Sequence, residues 1–194
     1  MALGDIAAAL GKGLVAGVAG TAAMTVSSTL EAKLRDRASS SAPADAAGKV
    51  LGVQPRDEAG EARFANVVHW SYGSGWGMVR GLLHAGGIDG VAAPALHFSA
   101  VWGAQVMLPV LDVAPAPWNS PKQEVAIDAV HHAVYAIATA LAFAALQRSA
   151  SRAPPTTTAE LPDASHVPGL HVEALAAAVQ LRVARAGRAR RPAR

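Results

Sequence analysis

An all-α fold is predicted, an integral membrane bundle of four transmembrane helices in antiparallel up-down-up-down order. Three observations predict it. Charge is concentrated in residues 31–63, 122–128 and the tail after Gln147, leaving four long apolar stretches. Each stretch approaches the roughly 20 residues that cross about 30 Å of hydrocarbon at 1.5 Å per residue. Each also carries a polar stripe on one helical face, and ionisable groups in a membrane span are costly enough to turn toward a bundle interior. At 194 residues and 52% hydrophobic, the chain also has the size of one soluble domain, and its spans are rich in Ala and Gly rather than Leu and Ile. A soluble helical bundle is therefore the competing fold. Four similar runs, tryptophans near several of their ends and abundant intrahelical glycine favour the membrane.

In chain order, residues 1–11 form a short amphipathic lead-in, and the first span covers 13–31. It continues through Val26 and Leu30 into Glu31 without a small-residue cleavage pattern, so it reads as a retained span rather than a signal peptide. In the polar connection that follows, Ser41 is a plausible cap and Gly52 a plausible stop for a short helix, and Val53-Gln-Pro-Arg-Asp is a turn. The second span covers 63–83. The very short 84–89 connection contains Gly86-Gly87 and predicts an antiparallel hairpin with the third span, 90–111.

The next connection, Ala114-Pro-Ala-Pro-Trp-Asn-Ser-Pro, cannot be regular helix, because each proline lacks an N–H and restricts its predecessor. It predicts a rigid extended cap with Trp118 as an interfacial anchor. The fourth span covers 124–146 and completes a transmembrane domain over 1–147. Residues 148–194 form a flexible Pro/Ser/Thr-rich linker and a basic, amphipathic tail, with Val172, Leu175, Val179 and Val183 at helical spacing before a run of arginines. The basic excess behind the formal charge of +3 lies mainly in that tail, which is expected to be solvated, with anionic lipid as the competing partner and nucleic acid not expected. An even number of spans puts both termini on one side. The basic residues near the spans and those of the tail favour opposite orientations, so orientation is left open.

Spacings of three, four and seven share a helical face. Such faces are formed by Gly13, Gly17, Thr21, Thr25 and Ser28 leading to Glu31, and by Asn66, His69, Gly73, Gly77 and Arg80. In the third span His97 and Gln105 align; in the fourth, Glu124, Asp128, His131 or His132, Tyr135 and Thr139 do. The coincidence of glycine and polar stripes in the first two spans points both into one interior, and glycine-rich faces also offer a route to a homo-oligomer. In an up-down-up-down bundle Glu31, His69, Asp128 and His132, with Glu124, His131 and Tyr135 as secondary members, fall in one half beneath the proline-rich connection. Arg80, His84 and His97 fall in the other half.

Three roles fit this acid/histidine cluster. The groups can pair to bind the spans together. They can hold a divalent metal, with Asp128-x-x-His131 at the spacing of helical metal bundles and Glu31 and His69 completing a nitrogen/oxygen shell. They can carry protons, since histidine titrates near neutrality. The absence of cysteine excludes disulfides, iron–sulfur clusters and thiolate zinc. No nucleophile elbow, phosphate loop or dinucleotide fingerprint is present, so neither an enzyme nor a bound organic cofactor is expected.

From the proline–tryptophan connection through Lys122, Gln123 and Glu124 to Asp128 and His132, the sequence resembles the YagU-like family of small, uncharacterised bacterial inner-membrane proteins. The similarity runs from about Gly13 to Leu146, with an acid ending the first span at Glu31 and a histidine at His69 in the second. Asp128 stands where the family's pattern leads one to expect glutamate. The resemblance implies a multi-pass protein of the inner membrane, with the lipid bilayer as its partner, and supplies no reaction or ligand.

Overall fold

Helix α1, Leu3–Leu34, begins ten residues before the predicted span and absorbs the amphipathic lead-in into one continuous helix. The Asp5 carboxylate accepts the Ala2 N–H at 2.9 Å, which ties down the chain at that end. The structure is a computed structural model and describes residues 2–38 and 40–152. The helical period at 170–184 and the arginine run lie outside the described residues. Among those described the chain is all-helical, with no strand.

Helix α2, Ala42–Leu51, ends at Gly52 in the left-handed conformation, with φ 65°, as its glycine predicts. Ser41 does not act as the expected cap: its hydroxyl is spent on the Asp45 carboxylate at 2.8 Å rather than accepting a backbone N–H. Helix α3, Glu58–Ala85, starts earlier than the predicted span because Asp57 caps it, accepting the Gly60 N–H at 2.7 Å. Glu58 and Glu61 then sit in its first turn, where the helix dipole favours negative charge.

The predicted third span is not one regular helix. Helix α4, Ala92–Gly103, gives way to a 3₁₀ turn, Ala104–Val106, and then to the single turn α5, Met107–Val110. The cause is Pro109, which lacks the N–H that would bond the Gln105 carbonyl and whose ring crowds that carbonyl. The proline-rich connection contains a 3₁₀ turn, Pro117–Asn119, closed by Asn119 N–H on the Ala116 carbonyl at 2.8 Å. Lys49 of α2 fastens the start of this connection by donating to the carbonyls of Leu111 and Asp112 at 2.8 and 2.7 Å. Helix α6, Lys122–Arg152, completes the set.

α1 packs along both α3 and α6, while α4 lies against α6 and α3. At Gly13 and Gly17 the α1–α3 contact is backbone against backbone. A Cβ at Gly13 would lie 2.5 Å from the Gly77 carbonyl oxygen, and one at Gly17 would lie 2.5 Å from that of Ser74. These glycines are therefore occupied within one chain, letting two backbones approach closely.

Among the described residues the core is small, mostly alanine with Val101, Tyr135 and Phe143, and it also holds five polar side chains, while many large apolar side chains lie outside. Thr21, His97, Thr139 and Phe143 are the largest fully buried side chains, whereas Leu14, Val15, Val18, Val67, Ile137 and Leu141 are exposed. On α6, Thr139 is 0% exposed while Ile137 and Leu141 beside it are 56% and 67% exposed. α1 and α6 are each long and apolar enough to cross a membrane. With 32 and 31 residues, they measure about 48 and 46 Å at 1.5 Å per residue.

Candidate functional site

The polar stripe of α6 is about 100° wide, because steps of three and four residues drift to either side of the helical repeat. Its width decides which histidine meets which acid. His131 lies on the edge toward α1, and Asp128 and His132 lie on the edge toward α4. The predicted cluster is thereby divided into three groups at the same end of the bundle.

The first group surrounds Glu31 at the end of α1. Arg37 grips Glu31 through Nε at 3.0 Å and Nη2 at 2.5 Å, and Arg35 reaches Glu31 Oε1 at 2.9 Å. Arg35 also clasps both oxygens of Glu124 on α6, one of them at 3.0 Å. Such two-pronged contacts match the planar guanidinium to a carboxylate. The charged form of Arg35 is favoured further by Glu124 and then by Glu31, and that of Arg37 by Glu31.

Inward of this clamp, His131 Nδ1 is 2.8 Å from the Ser27 hydroxyl. Its Nε2 is buried, lies 3.7 Å from Glu31 Oε2, and makes no hydrogen bond. The hydroxyl can donate to a neutral imidazole nitrogen or accept from a protonated one. The Glu31 carboxylate, itself held by two guanidiniums, is too far from Nε2 for a hydrogen bond.

The second group is His69, whose Nε2 is 2.7 Å from Thr25 Oγ1. Thr25 gives its hydroxyl hydrogen to the Thr21 carbonyl at 2.7 Å, so His69 Nε2 must be the donor. The third group is Asp128, which accepts from Trp102 Nε1 at 3.0 Å and from the Gln105 amide. His132 turns back on its own helix, donating Nδ1–H to the Asp128 carbonyl at 2.9 Å. Hydrogen bonds and ion pairs join neither His69 nor Asp128 to the Glu31 group.

Deeper in the bundle, Tyr135 donates its hydroxyl to the Gly73 carbonyl at 2.6 Å. His97 donates Nε2–H to the Trp76 carbonyl at 3.0 Å, and its ring lies 5.5 Å from that of Tyr135. At the opposite end a second network appears. His84 Nδ1 faces both oxygens of Asp89 at 2.9 and 3.0 Å, and the Gln147 amide nitrogen is 2.5 Å from His84 Nε2. Lys12 donates to the Gln147 carbonyl oxygen. Asp89, beyond the end of α3, is held below the ordinary aspartate range, first by His84 and then by Arg80, whose Nη2 is 3.3 Å away. Arg80 itself is buried, with its guanidinium carbon 4.4 Å from the Phe143 ring centre.

A metal shell would need Glu31, His69, Asp128 and His131 to converge. Among the described residues no group of three or more histidine or carboxylate side chains is placed to hold an ion. The potential ligands are committed elsewhere: Glu31 to two guanidiniums, His69 to Thr25, and Asp128 to Trp102 and Gln105. Their geometry does not fit a common metal.

Sequence reasoning missed Arg35, Arg37 and Ser27 as partners of the cluster, and Gln147, Lys12 and Asp89 at the other end. The Glu31–Arg35 spacing of four was a readable signal for a helical ion pair. The Ser27–His131 contact depends on the rotation of α6 against α1 and leaves no local mark in the sequence. Comparison with protein-family models, curated proteins and solved structures finds no match.

Proposed function

We propose that the chain is a four-span, multi-pass protein of the bacterial inner membrane whose polar interior binds protons in support of transport or envelope homeostasis, without enzymatic chemistry. α1, α3, the 92–110 segment and α6 are the proposed spans. The membrane part rests on the many exposed large apolar side chains outside a core of small residues that also holds Thr21, Arg80, His97, His131 and Thr139, an arrangement that water disfavours. The resemblance of the 114–124 connection to YagU-like proteins points the same way.

The observation that carries the proton reading is the Ser27–His131–Glu31 unit: a buried imidazole between a hydroxyl that can donate or accept and a carboxylate 3.7 Å away. A structural role is the second reading, favoured by the double guanidinium grip on Glu31. Proton flux into liposomes holding the full chain and an internal pH dye separates the two. Under an imposed potential, flux by wild type that falls in His131→Gln, with the variant's melting temperature retained, supports proton binding. Wild-type flux no higher than that of empty liposomes sinks it.

A further inference from the structure

We propose that a pocket at the N-terminal end of α1 binds the phosphoethanolamine headgroup of a membrane lipid, an inference that rests on the membrane reading above. The pocket has a volume of about 210 Å³ and is lined by Asp5, Ala8, Ala9, Lys12, His84 and Gln147. That equals roughly seven water volumes of about 30 Å³ each. Three helices contribute, and each does so where its apolar sequence stops: Lys12 just before the first run, His84 just after the second and Gln147 just after the fourth. The pocket is therefore placed at the level where hydrocarbon gives way to headgroups.

Its charges are ordered along the α1 axis. Asp5 and Lys12 are seven residues apart and share a face of α1, separated by about 10 Å along the axis. Lys12 is the inner of the two and Asp5 the outer. A phospholipid has the matching order, with phosphate next to the glycerol and ammonium beyond it.

Donors and acceptors remain for both groups. Lys12 spends one of three N–H groups on the Gln147 oxygen, and Gln147 spends one of its two amide hydrogens on His84. The remaining hydrogens suit a phosphate. Asp5 uses Oδ2 for Ala2 N–H, which leaves Oδ1 for an ammonium. Asp5 and Lys12 cancel in charge, which disfavours a purely anionic lipid. Choline's methylated nitrogen has no hydrogen to give Asp5.

Native mass spectrometry of the delipidated full chain in detergent, titrated with lipids of identical acyl chains, tests the proposal. One phosphatidylethanolamine is expected to bind about tenfold more tightly than phosphatidylcholine or phosphatidylglycerol, the scale of one lost charge-assisted hydrogen bond. Lys12→Gln should reduce its retention to the phosphatidylcholine level, and Asp5→Asn should bring phosphatidylglycerol level with it. Soluble phosphoethanolamine should compete only at far higher concentration; equal competition would reject the lipid as the source of the headgroup. Indifference to headgroup in wild type, or retention unchanged in both variants, overturns the proposal. If membrane-integrated protein shows that indifference, only the pocket assignment fails. Recovery of the protein in the aqueous phase without detergent removes the membrane reading itself.

Discussion

Ser27 and His131 meet across the α1–α6 contact at 2.8 Å, with the buried Nε2 of the same imidazole 3.7 Å from the Glu31 carboxylate. The sequence placed Glu31 in one cluster with His131, whereas Ser27 was not foreseen as its partner. If proton binding at this position drives function, His131→Gln should lower proton flux roughly tenfold or more. Ser27→Ala should have a smaller effect, because it leaves the buried imidazole in place beside Glu31. His132→Gln should leave flux near wild type, since His132 bonds its own helix. The liposome dye assay reads all three variants.

Close backbone packing makes a second expectation. Gly17→Val should cost on the order of 3 kcal/mol or more, since its side chain would collide with the backbone of α3 and neither helix can yield without separating. A Cβ added at Gly75, by contrast, would meet nothing within 4 Å. Gly75→Ala should therefore stabilise by about 0.5–1 kcal/mol through helix propensity alone. Thermal melts in detergent followed by circular dichroism should show opposite signs for the pair.

Removing the Tyr135 hydroxyl breaks its 2.6 Å bond to the Gly73 carbonyl but leaves that carbonyl in the α3 helix. Tyr135→Phe should cost about 1 kcal/mol, the net worth of one hydrogen bond. The same melts measure it.

Asp89 sets a pH dependence at the opposite end. Its folded pKa lies below the unfolded value, chiefly through His84 and then Arg80. The resulting stability is present above the ordinary aspartate range and lost as pH falls through the lower folded value. Because the Asp89 side chain is 52% exposed, solvent screening holds the contribution to about 1 kcal/mol or less. Asp89→Asn should lower the melting temperature near neutrality and flatten its decline on acidification below the aspartate range.

Much of the helical architecture was legible because glycine and polar stripes obey a simple period. Gly13 and Gly17 meet Gly77, and Thr21 lies beside Gly73, as stripes on one interior would require. The break in the third span was legible in principle from Pro109, whose missing N–H opens the helix at Gln105. Partner choice within the cluster was not. His131 and His132 are one residue apart, about 100° around the helix, and spacing cannot choose between edges of a stripe that wide. The choice follows from how α6 is rotated against α1 and α4. The distant link from Lys12 through Gln147 to His84 likewise depends on three helix ends meeting at one level.

The central claim is a bundle with its polar groups inside and lipid outside. The chain has no cysteine, so single-cysteine variants at Val18, Val67, Ile137 and Leu141 can be spin-labelled in the full protein without other changes. In liposomes, the relaxation of each label by oxygen and by a water-soluble nickel chelate reports its surroundings. All four labels should be far more accessible to oxygen than to nickel, while a label at exposed Gly87 in the hairpin shows the reverse. Nickel access at Ile137 and Leu141 equal to that at Gly87 would contradict the account.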